Sequence, residues 1–248
     1  MLFNPGILRP YDIRGEYGKD FDDEFAKYLG AALVQYFSAP RVGGSASGGN
    51  AKQIVVARDM RPSAVGLTKA VIEGITSMGC DVIDIGTAST PFFYYSTIFG
   101  PAPAGIMVTA SHMGPSFNGF KICQKDGMIM AKDSGLMEVV EIISAKGGSA
   151  SGGKKGKVIP TNHLEQHADF LIKHAQLKRG EVKLKVAVEG DTMILDELKA
   201  TFSKLGIAWV KANYDIKFGF DADGDRLSVF NAHGKQIRGD FYAGIIGA

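Results

Sequence analysis

Short apolar runs alternate along this sequence with stretches whose apolar residues recur at helical spacing. Residues 54–57, 80–85 and 105–110 have the length and apolar character of buried strands. Between them, leucine, valine and isoleucine recur three or four residues apart, which is typical of amphipathic helices. Strands that alternate with helices pair mostly in parallel, because each helix carries the chain back along the sheet. The sequence therefore predicts an α/β fold of two mixed domains, each a sheet flanked by helices, with a mainly parallel sheet in the first.

The string GGSASGG occurs twice, at residues 43–49 and 147–153. Glycine, serine and alanine cannot build a core, so each copy predicts a flexible connector. The flanking residues of the two copies do not match, which argues against a repeated fold. Replacement of native loops by a common linker is one origin of such a pattern. The second copy predicts a domain boundary, with an α/β domain at 1–153 and a smaller one at 154–248.

The composition excludes several classes of protein. The 248 residues are 45% hydrophobic and 22% charged, as in soluble globular proteins. A net charge of +2 without a basic run indicates neither a nucleic-acid nor a membrane partner. No apolar run reaches the roughly 18 residues of a membrane span, and the N-terminus has no signal-peptide core. Cys80 and Cys123 lie in strand-like segments, where buried thiols are expected rather than a disulfide, which favours the cytoplasm.

Residues 105–122, GIMVTASHMGPSFNGFKI, place reactive side chains directly after a predicted buried strand. Ser111 can act as a nucleophile, and the adjacent His112 can move a proton. Lys121 can hold a phosphate or exchange a proton, and Asn118 precedes it in the same stretch. Taken singly, a serine after a strand is more often structural, and a histidine more often serves packing or the surface. Together these residues predict a site for phosphate chemistry.

Asp221, Asp223 and Asp225 occupy alternate positions after a predicted strand that ends at Phe220. Carboxylate oxygens are the hard ligands that Mg²⁺ prefers, and like charges so close together repel one another without a cation. The same spacing opens a calcium-binding loop, but no glutamate follows at the required position. A solvated acidic turn is the alternative. The pattern favours a magnesium site, and our hypothesis is that it meets the Ser111 loop around one cation.

Two arginines, Arg14 and Arg58, each follow a predicted strand, at the sheet edge where α/β proteins gather ligands. A guanidinium there can clamp a phosphate through two hydrogen bonds, or it can pair with a surface carboxylate. The sequence lacks the nucleophile elbow, the Walker A motif and the dinucleotide-binding glycine motif. These absences exclude the commonest alternatives for a site built on an α/β sheet.

Three motifs resemble those of the α-D-phosphohexomutases, the phosphomannomutase and phosphoglucomutase enzymes, in their order and spacing. They are YDIRG at 11–15, TASH and NGFK at 109–112 and 118–121, and FDADGDR at 220–226. That family moves a phosphoryl group between the 1- and 6-positions of a hexose phosphate through a bisphosphorylated sugar. The resemblance covers the first two domains of the family and implies their fold.

The resemblance also implies a role for each candidate residue. Ser111 corresponds to the phosphoserine, whose phosphate completes a Mg²⁺ site with Asp221, Asp223 and Asp225. His112 and Lys121 correspond to the acid–base residues. The other matching positions lie near the active-site cleft: Tyr11, Arg14, Arg58, Asn118 and Arg226. A hexose 1,6-bisphosphate is implied as activator and intermediate.

The chain departs from the family pattern at Met113-Gly114, where the family has Asn-Pro, and it ends before the family's later domains. Those domains carry the sugar-specificity loop and a phosphate clamp, so we expect weak phosphohexomutase activity. The expected partners are a hexose phosphate and either the later domains or a second copy of the chain. One alternative is a truncated or engineered chain that binds Mg²⁺ and phosphosugar without turnover. A Mg²⁺-dependent phosphatase is the less favoured third.

Overall fold

A computed structural model describes residues 3–39, 51–145, 154–176, 178–181 and 183–240. The chain forms two compact units, Met1–Asn162 and His163–Ala248. Both GGSASGG strings lie outside the described residues, so their role as connectors stays a prediction. The same holds for the domain boundary predicted at the second string, and for the helix predicted to run from Asp240 to the C-terminus.

The first unit is built on one sheet with the strand order β1-β5-β4-β2-β3-β6. Its strands are β1 (Ile13–Glu16), β2 (Gln53–Arg58), β3 (Asp81–Thr87), β4 (Ala104–Val108), β5 (Phe117–Gln124) and β6 (Val158–Pro160). Its helices are α1 (Asp23–Ser38), α2 (Pro62–Ser77), α3 (Thr90–Phe99) and α4 (Met137–Ser144). Within this order, β4 pairs in parallel with β2, β2 with β3, and β3 with β6. Strand β5 runs antiparallel to both β1 and β4.

The core of this unit follows from the apolar periodicity of its helices. Asp22 caps α1, because its side chain accepts a hydrogen bond from the backbone nitrogen of Phe25. The helical faces and the central strands then bury one continuous apolar cluster. Its largest fully buried members include Phe25, Leu29, Leu33, Leu67, Ile75, Ile106 and Phe120.

The carboxyl ends of β2 and β4 lie side by side in this sheet. Arg58, the last residue of β2, pairs with Val108, the last residue of β4. The loop that contains Ser111 begins directly after Val108. Lys121 lies on β5 opposite Met107 of β4. The parallel pairing thus brings the segments that follow β2 and β4 to one edge of the sheet.

The second unit is a smaller layer of the same kind. Its helices are α5 (Leu164–Ala175) and α6 (Thr192–Leu205), and its strands are β7 (Lys185–Glu189), β8 (Ala208–Trp209), β9 (Ile216–Phe220), β10 (Leu227–Asn231) and β11 (Gln236–Ile237). The strand order is β11-β10-β9-β7-β8. Strand β7 is parallel to β8 and β9, and β10 is antiparallel to β9 and β11. His167 of α5 is buried, and this burial lowers its pKa to about 4.

The predicted fold class is confirmed, since each unit is a mixed α/β layer. The sheet of the first unit is mainly parallel, as predicted, whereas in the second unit the short loop between β9 and β10 returns the chain antiparallel. The prediction that Arg14 follows a strand is wrong. Arg14 lies within β1, because the strand predicted to begin at Ile7 begins only at Ile13, after a 3-10 turn at Pro5–Ile7. Among the helices of the described residues, none combines the length and apolar character needed to cross a membrane.

Candidate functional site

Ser111 lies in a tight loop after β4 and has a backbone φ of 52°. This left-handed conformation is disfavoured for any residue with a Cβ atom and is rare outside turns and sites of chemistry. The side chain is buried, and its Oγ lies 3.2 Å from Nδ1 of the exposed His112. A hydroxyl and an imidazole at this distance can exchange a proton. The structure thus brings the predicted nucleophile and one predicted acid–base residue together.

The other predicted acid–base residue, Lys121, is 6% exposed although it carries an ammonium group. Its Nζ donates a hydrogen bond to Oγ1 of Thr90, the first residue of α3, over 3.3 Å. Since β4 and β5 pair side by side, Lys121 and the strand that leads to Ser111 belong to the same part of the sheet. Burying an ammonium group costs free energy, so lysines are rarely this buried without a partner or a function. The burial of Lys121 therefore favours the predicted role.

Asn118 is fully buried in β5. Its amide nitrogen donates to Oγ of Ser63 over 2.8 Å, and its side-chain oxygen accepts from the backbone nitrogen of Gly119. These contacts hold β5 to the start of α2. The role of Asn118 in substrate binding stays a prediction. Its hydrogen bonds with Ser63 and Gly119 are those of a residue that supports the backbone near the Ser111 loop.

Arg14 and Arg58 lie one strand away from the Ser111 loop, on opposite sides of it. Arg14 pairs across the sheet with Gly119, whose carbonyl oxygen accepts a hydrogen bond from the backbone nitrogen of Thr109. Its guanidinium also binds Asp12, with Nη2 2.6 Å from Oδ2. Arg58 uses Nη1 to donate to the carbonyl oxygen of Asp59. Tyr11, in the turn before β1, is 66% exposed and is therefore accessible to a ligand.

The sequence reasoning missed one residue that binds this loop, Arg61. It lies directly before α2, and its guanidinium donates to four backbone carbonyl oxygens that follow β4. Arg61 is 8% exposed, and its Nε lies 3.0 Å from Oδ2 of the fully buried Asp59. The signal available in the sequence was an aspartate and an arginine two residues apart immediately after a strand.

The second unit carries the predicted metal ligands in the loop between β9 and β10. Asp221, Asp223 and Asp225 can each offer one oxygen such that all three oxygens lie within 4.8 Å of one another. Gly224, with a φ of 71°, allows the tight turn that gathers them. Asp223 is fully buried, and burial together with the Asp223 charge raises the pKa of Asp221.

The residues present fit a magnesium ion. Oxygens about 2.1 Å from Mg²⁺ lie about 3–4 Å from one another in octahedral geometry, and the three carboxylate oxygens, all within 4.8 Å of one another, lie close to that spacing. Arg226 follows them with its side chain 60% exposed and its Nε 3.9 Å from Oδ2 of Asp221. Ser111 belongs to the first unit and the three aspartates to the second. The hypothesis that they share one cation stays a prediction.

Comparisons with known proteins identify the same family along most of the chain. The family model described as phosphoglucomutase/phosphomannomutase, alpha/beta/alpha domain I, matches residues 6–147. A phosphomannomutase of Vibrio cholerae is 25% identical over 275 aligned positions, which cover 96% of this chain and 58% of that protein. A phosphoglucomutase of Neisseria meningitidis is 27% identical, and the aligned positions cover 94% of this chain and 55% of that protein. The chain thus spans less than two thirds of the length of these relatives.

The fold agrees with a solved structure. A phosphoglucomutase/phosphomannomutase family protein from Burkholderia thailandensis superposes with a TM-score of 0.79 at 24% identity, covering 98% of this chain and 59% of that one. A second structure, described as a putative phosphomannomutase from Thermus thermophilus, has a TM-score of 0.72 at 18% identity over the whole of this chain and 62% of that one. The family model covers more than half of the 248 residues. The chain therefore belongs to the phosphoglucomutase/phosphomannomutase family.

Proposed function

We propose that this chain transfers a phosphoryl group between the 1- and 6-positions of a hexose phosphate through a phosphorylated Ser111 and a bisphosphorylated sugar. The setting of Ser111 carries the proposal: a buried hydroxyl, in a disfavoured backbone conformation, 3.2 Å from a histidine nitrogen. Strained residues of this kind concentrate where chemistry is done. Membership in the family supports the same reaction, and the names of the relatives make mannose and glucose phosphates the first substrates to test.

In the proposed reaction, a hydroxyl of the sugar attacks the phosphorus carried by Ser111. A bond forms between the sugar oxygen and phosphorus while the bond from phosphorus to Oγ of Ser111 breaks. His112 donates a proton to the departing Oγ, and Lys121 in its neutral form accepts the proton of the sugar hydroxyl. The bisphosphorylated sugar then turns round, and its other phosphate returns to Ser111 by the reverse of these steps.

Further residues would bind the charged groups of the substrate. Arg14, Arg58 and Arg226 are proposed phosphate ligands because guanidinium groups bind phosphate oxygens in pairs. Tyr11 would contact the sugar, which its exposure supports. Asp221, Asp223 and Asp225 would hold Mg²⁺, which when bound neutralises phosphate charge. A hexose 1,6-bisphosphate is the proposed activator, since it is the species that can phosphorylate Ser111.

A second candidate is a chain that binds Mg²⁺ and phosphosugar without turnover. The observation that favours it is the match to only 58% of the Vibrio cholerae relative, because these residues lack whatever the remainder of that protein contributes. Binding energy from remote parts of a site is what positions a substrate for reaction, so its loss lowers the rate of turnover. A Mg²⁺-dependent phosphatase is disfavoured because the relatives of this chain are named as mutases.

A coupled assay separates these candidates. The chain is incubated with glucose 1-phosphate or mannose 1-phosphate, glucose 1,6-bisphosphate and Mg²⁺, and formation of the 6-phosphate is followed with and without EDTA. Intact-mass measurement and peptide mapping locate the phosphate, with Ser111→Ala as the control. Conversion of the 1-phosphate to the 6-phosphate, with phosphate on Ser111, supports the mutase. Phosphate on Ser111 without this conversion supports a chain that binds Mg²⁺ and phosphosugar without turnover. Release of inorganic phosphate indicates the phosphatase, and an unlabelled Ser111 overturns the proposed nucleophile.

We also propose a cytoplasmic location for this activity. Cys80 and Cys123 are free thiols, and both are buried. Burial, with smaller contributions from nearby aspartates, raises the pKa of each thiol to about 12. Buried cysteines that form no disulfide with each other are typical of a reducing compartment, which is the support for this assignment.

A further inference from the structure

Arg61 uses its whole hydrogen-bonding capacity on one loop and one carboxylate. A guanidinium has five N–H groups, and all five have an acceptor here. The Nε group donates to Oδ2 of Asp59 over 3.0 Å. The two terminal nitrogens donate, over 2.5–3.0 Å, to the carbonyl oxygens of Ser111, Met113, Gly114 and Phe117. A planar fork of donors in this position holds the loop after β4 in one shape.

Asp59 holds the other side of Ser111 through Thr109. The carboxylate of Asp59 is hydrogen-bonded to the side chain of Thr109, and Oγ1 of Thr109 accepts from the backbone nitrogen of Ser111 over 2.9 Å. Oδ1 of Asp59 also accepts from the backbone nitrogen of Arg61. Asp59 is itself tied to the sheet, since its backbone nitrogen donates to the carbonyl oxygen of Val108.

The two peptide groups that flank the Cα of Ser111 are therefore both held by one buried ion pair. The N–H is held through Thr109 and Asp59, and the carbonyl oxygen is held by Arg61. Fixing both peptide planes fixes φ and ψ of the residue between them. This accounts for a serine at a φ of 52°, a conformation that it would otherwise leave for the ordinary helical or extended regions.

We propose that Arg61, held in place by Asp59, is the positioning residue that keeps the Oγ of Ser111 in its reactive orientation next to His112. The proposal rests on the proposed role of Ser111 as the phosphoryl carrier. Arg61 touches no substrate in this scheme, and it acts through the backbone alone. Release of the loop would let Ser111 relax and carry its hydroxyl away from Nδ1 of His112. Misplacement by about 1 Å costs on the order of 10²-fold in rate.

The test uses the full chain with Arg61→Lys and Arg61→Ala, and with Lys27→Ala as a matched control. Lys27 is an exposed cation of the same unit whose side chain pairs with Glu73. The rate of phosphorylation of Ser111 by glucose 1,6-bisphosphate is measured at varied concentration, with and without millimolar guanidinium ion. We expect Arg61→Ala to lower the maximal rate on the order of 10²-fold with little change in half-saturation, and guanidinium to restore part of it. Lysine keeps the charge without the fork and should stay closer to alanine than to the unchanged chain.

A second readout does not depend on the proposed reaction. Hydrogen exchange of the amides in residues 109–118 should accelerate in Arg61→Ala while exchange in α1 and the other strands is unchanged. If Arg61→Ala leaves a buried charge that prevents folding, the double variant Asp59→Asn with Arg61→Met removes both charges and serves instead. Unchanged loop exchange, or unchanged phosphorylation in a folded variant, overturns the positioning role. Failure of the unsubstituted chain to accept phosphate overturns the proposed function instead and leaves the exchange result to decide on the loop.

Discussion

Gly74 of α2 lies so close to Lys27 of α1 that a Cβ atom on Gly74 would overlap the Lys27 carbonyl oxygen. Gly30 of α1 makes the reciprocal contact, with the carbonyl oxygen of Val71 in α2. Two helices approach this closely only where neither bears a side chain at the crossing. The two glycines therefore set the separation of α1 and α2, the helices whose apolar faces contribute much of the core of the first unit.

Substitution of Gly74 by alanine should destabilise the protein by roughly 1–3 kcal/mol, because the added methyl group forces the two helices apart. Gly66 in the same helix is the matched control, since its Cβ would lie 3.5 Å from an oxygen of Asp23, an ordinary contact. Alanine there should be neutral or stabilise by up to about 1 kcal/mol through helix propensity. Urea denaturation measures both variants, and equal stability of the two would refute the close crossing.

The backbone of Ser111 gives a second prediction. Ser111→Gly and Ser111→Ala both remove the hydroxyl, but only alanine keeps the Cβ that a φ of 52° disfavours. The glycine variant should therefore be the more stable of the two by about 1 kcal/mol in the free energy of unfolding. The comparison cancels the loss of the side-chain contact with His112. If the alanine variant is as stable as the glycine variant, the left-handed conformation is not that of the folded protein.

Magnesium should stabilise the second unit through the three aspartates. An ion that binds only the folded chain raises the free energy of unfolding by about 2.7 kcal/mol at one hundred times its dissociation constant. Thermal unfolding with and without Mg²⁺ should show this gain, and Asp223→Asn should remove most of it. Asp196→Asn, which changes an exposed carboxylate on α6, should keep the gain. A full response to Mg²⁺ in Asp223→Asn would place the ion elsewhere.

His167 predicts how stability depends on pH. Its pKa is lowered by burial from 6.5 to about 4, so between these values the folded chain binds fewer protons than the unfolded one. Stability from this group is therefore complete above pH 6.5 and is lost as the pH falls toward 4, by roughly 3 kcal/mol in all. His167→Leu should flatten the slope between about pH 5 and 6.5, a range in which few carboxylates titrate. His233→Gln, in an exposed turn, should retain it, and an unchanged slope in His167→Leu would show that other groups set the dependence.

The fold class and the reactive end of β4 were accessible from sequence because they depend on local pattern. Apolar periodicity indicated the elements, and the placement of Ser111 and His112 beside each other after an apolar strand was enough to single them out. Arg61 was not accessible in this way. Four of its acceptors lie fifty or more residues further along the chain, and they are backbone carbonyl oxygens, which do not depend on residue identity.

Arg14 shows a second limit of sequence reasoning. The residues around Arg14 have the pattern of an extended chain, and this sequence pattern alone does not indicate whether the strand begins at Ile7 or at Ile13. The structure settles it through pairing with β5, in which Arg14 lies opposite Gly119. A side chain at Gly119 would overlap the carbonyl oxygen of Ile13, so this register depends on a contact between backbones. Such a contact becomes visible only once the partner strand is known.

Strand β6 has a practical consequence for dividing this protein into fragments. It follows the second GGSASGG string, yet it completes the first sheet by pairing Val158 with Val82 and Pro160 with Asp84. A polypeptide that stopped at the string would expose β3 as an open edge, which invites association with other chains. A first fragment that keeps this strand pair and the whole of the first unit reaches Asn162. If the halves are supplied as two polypeptides, the cut belongs after β6, where no strand pair of the first sheet is divided.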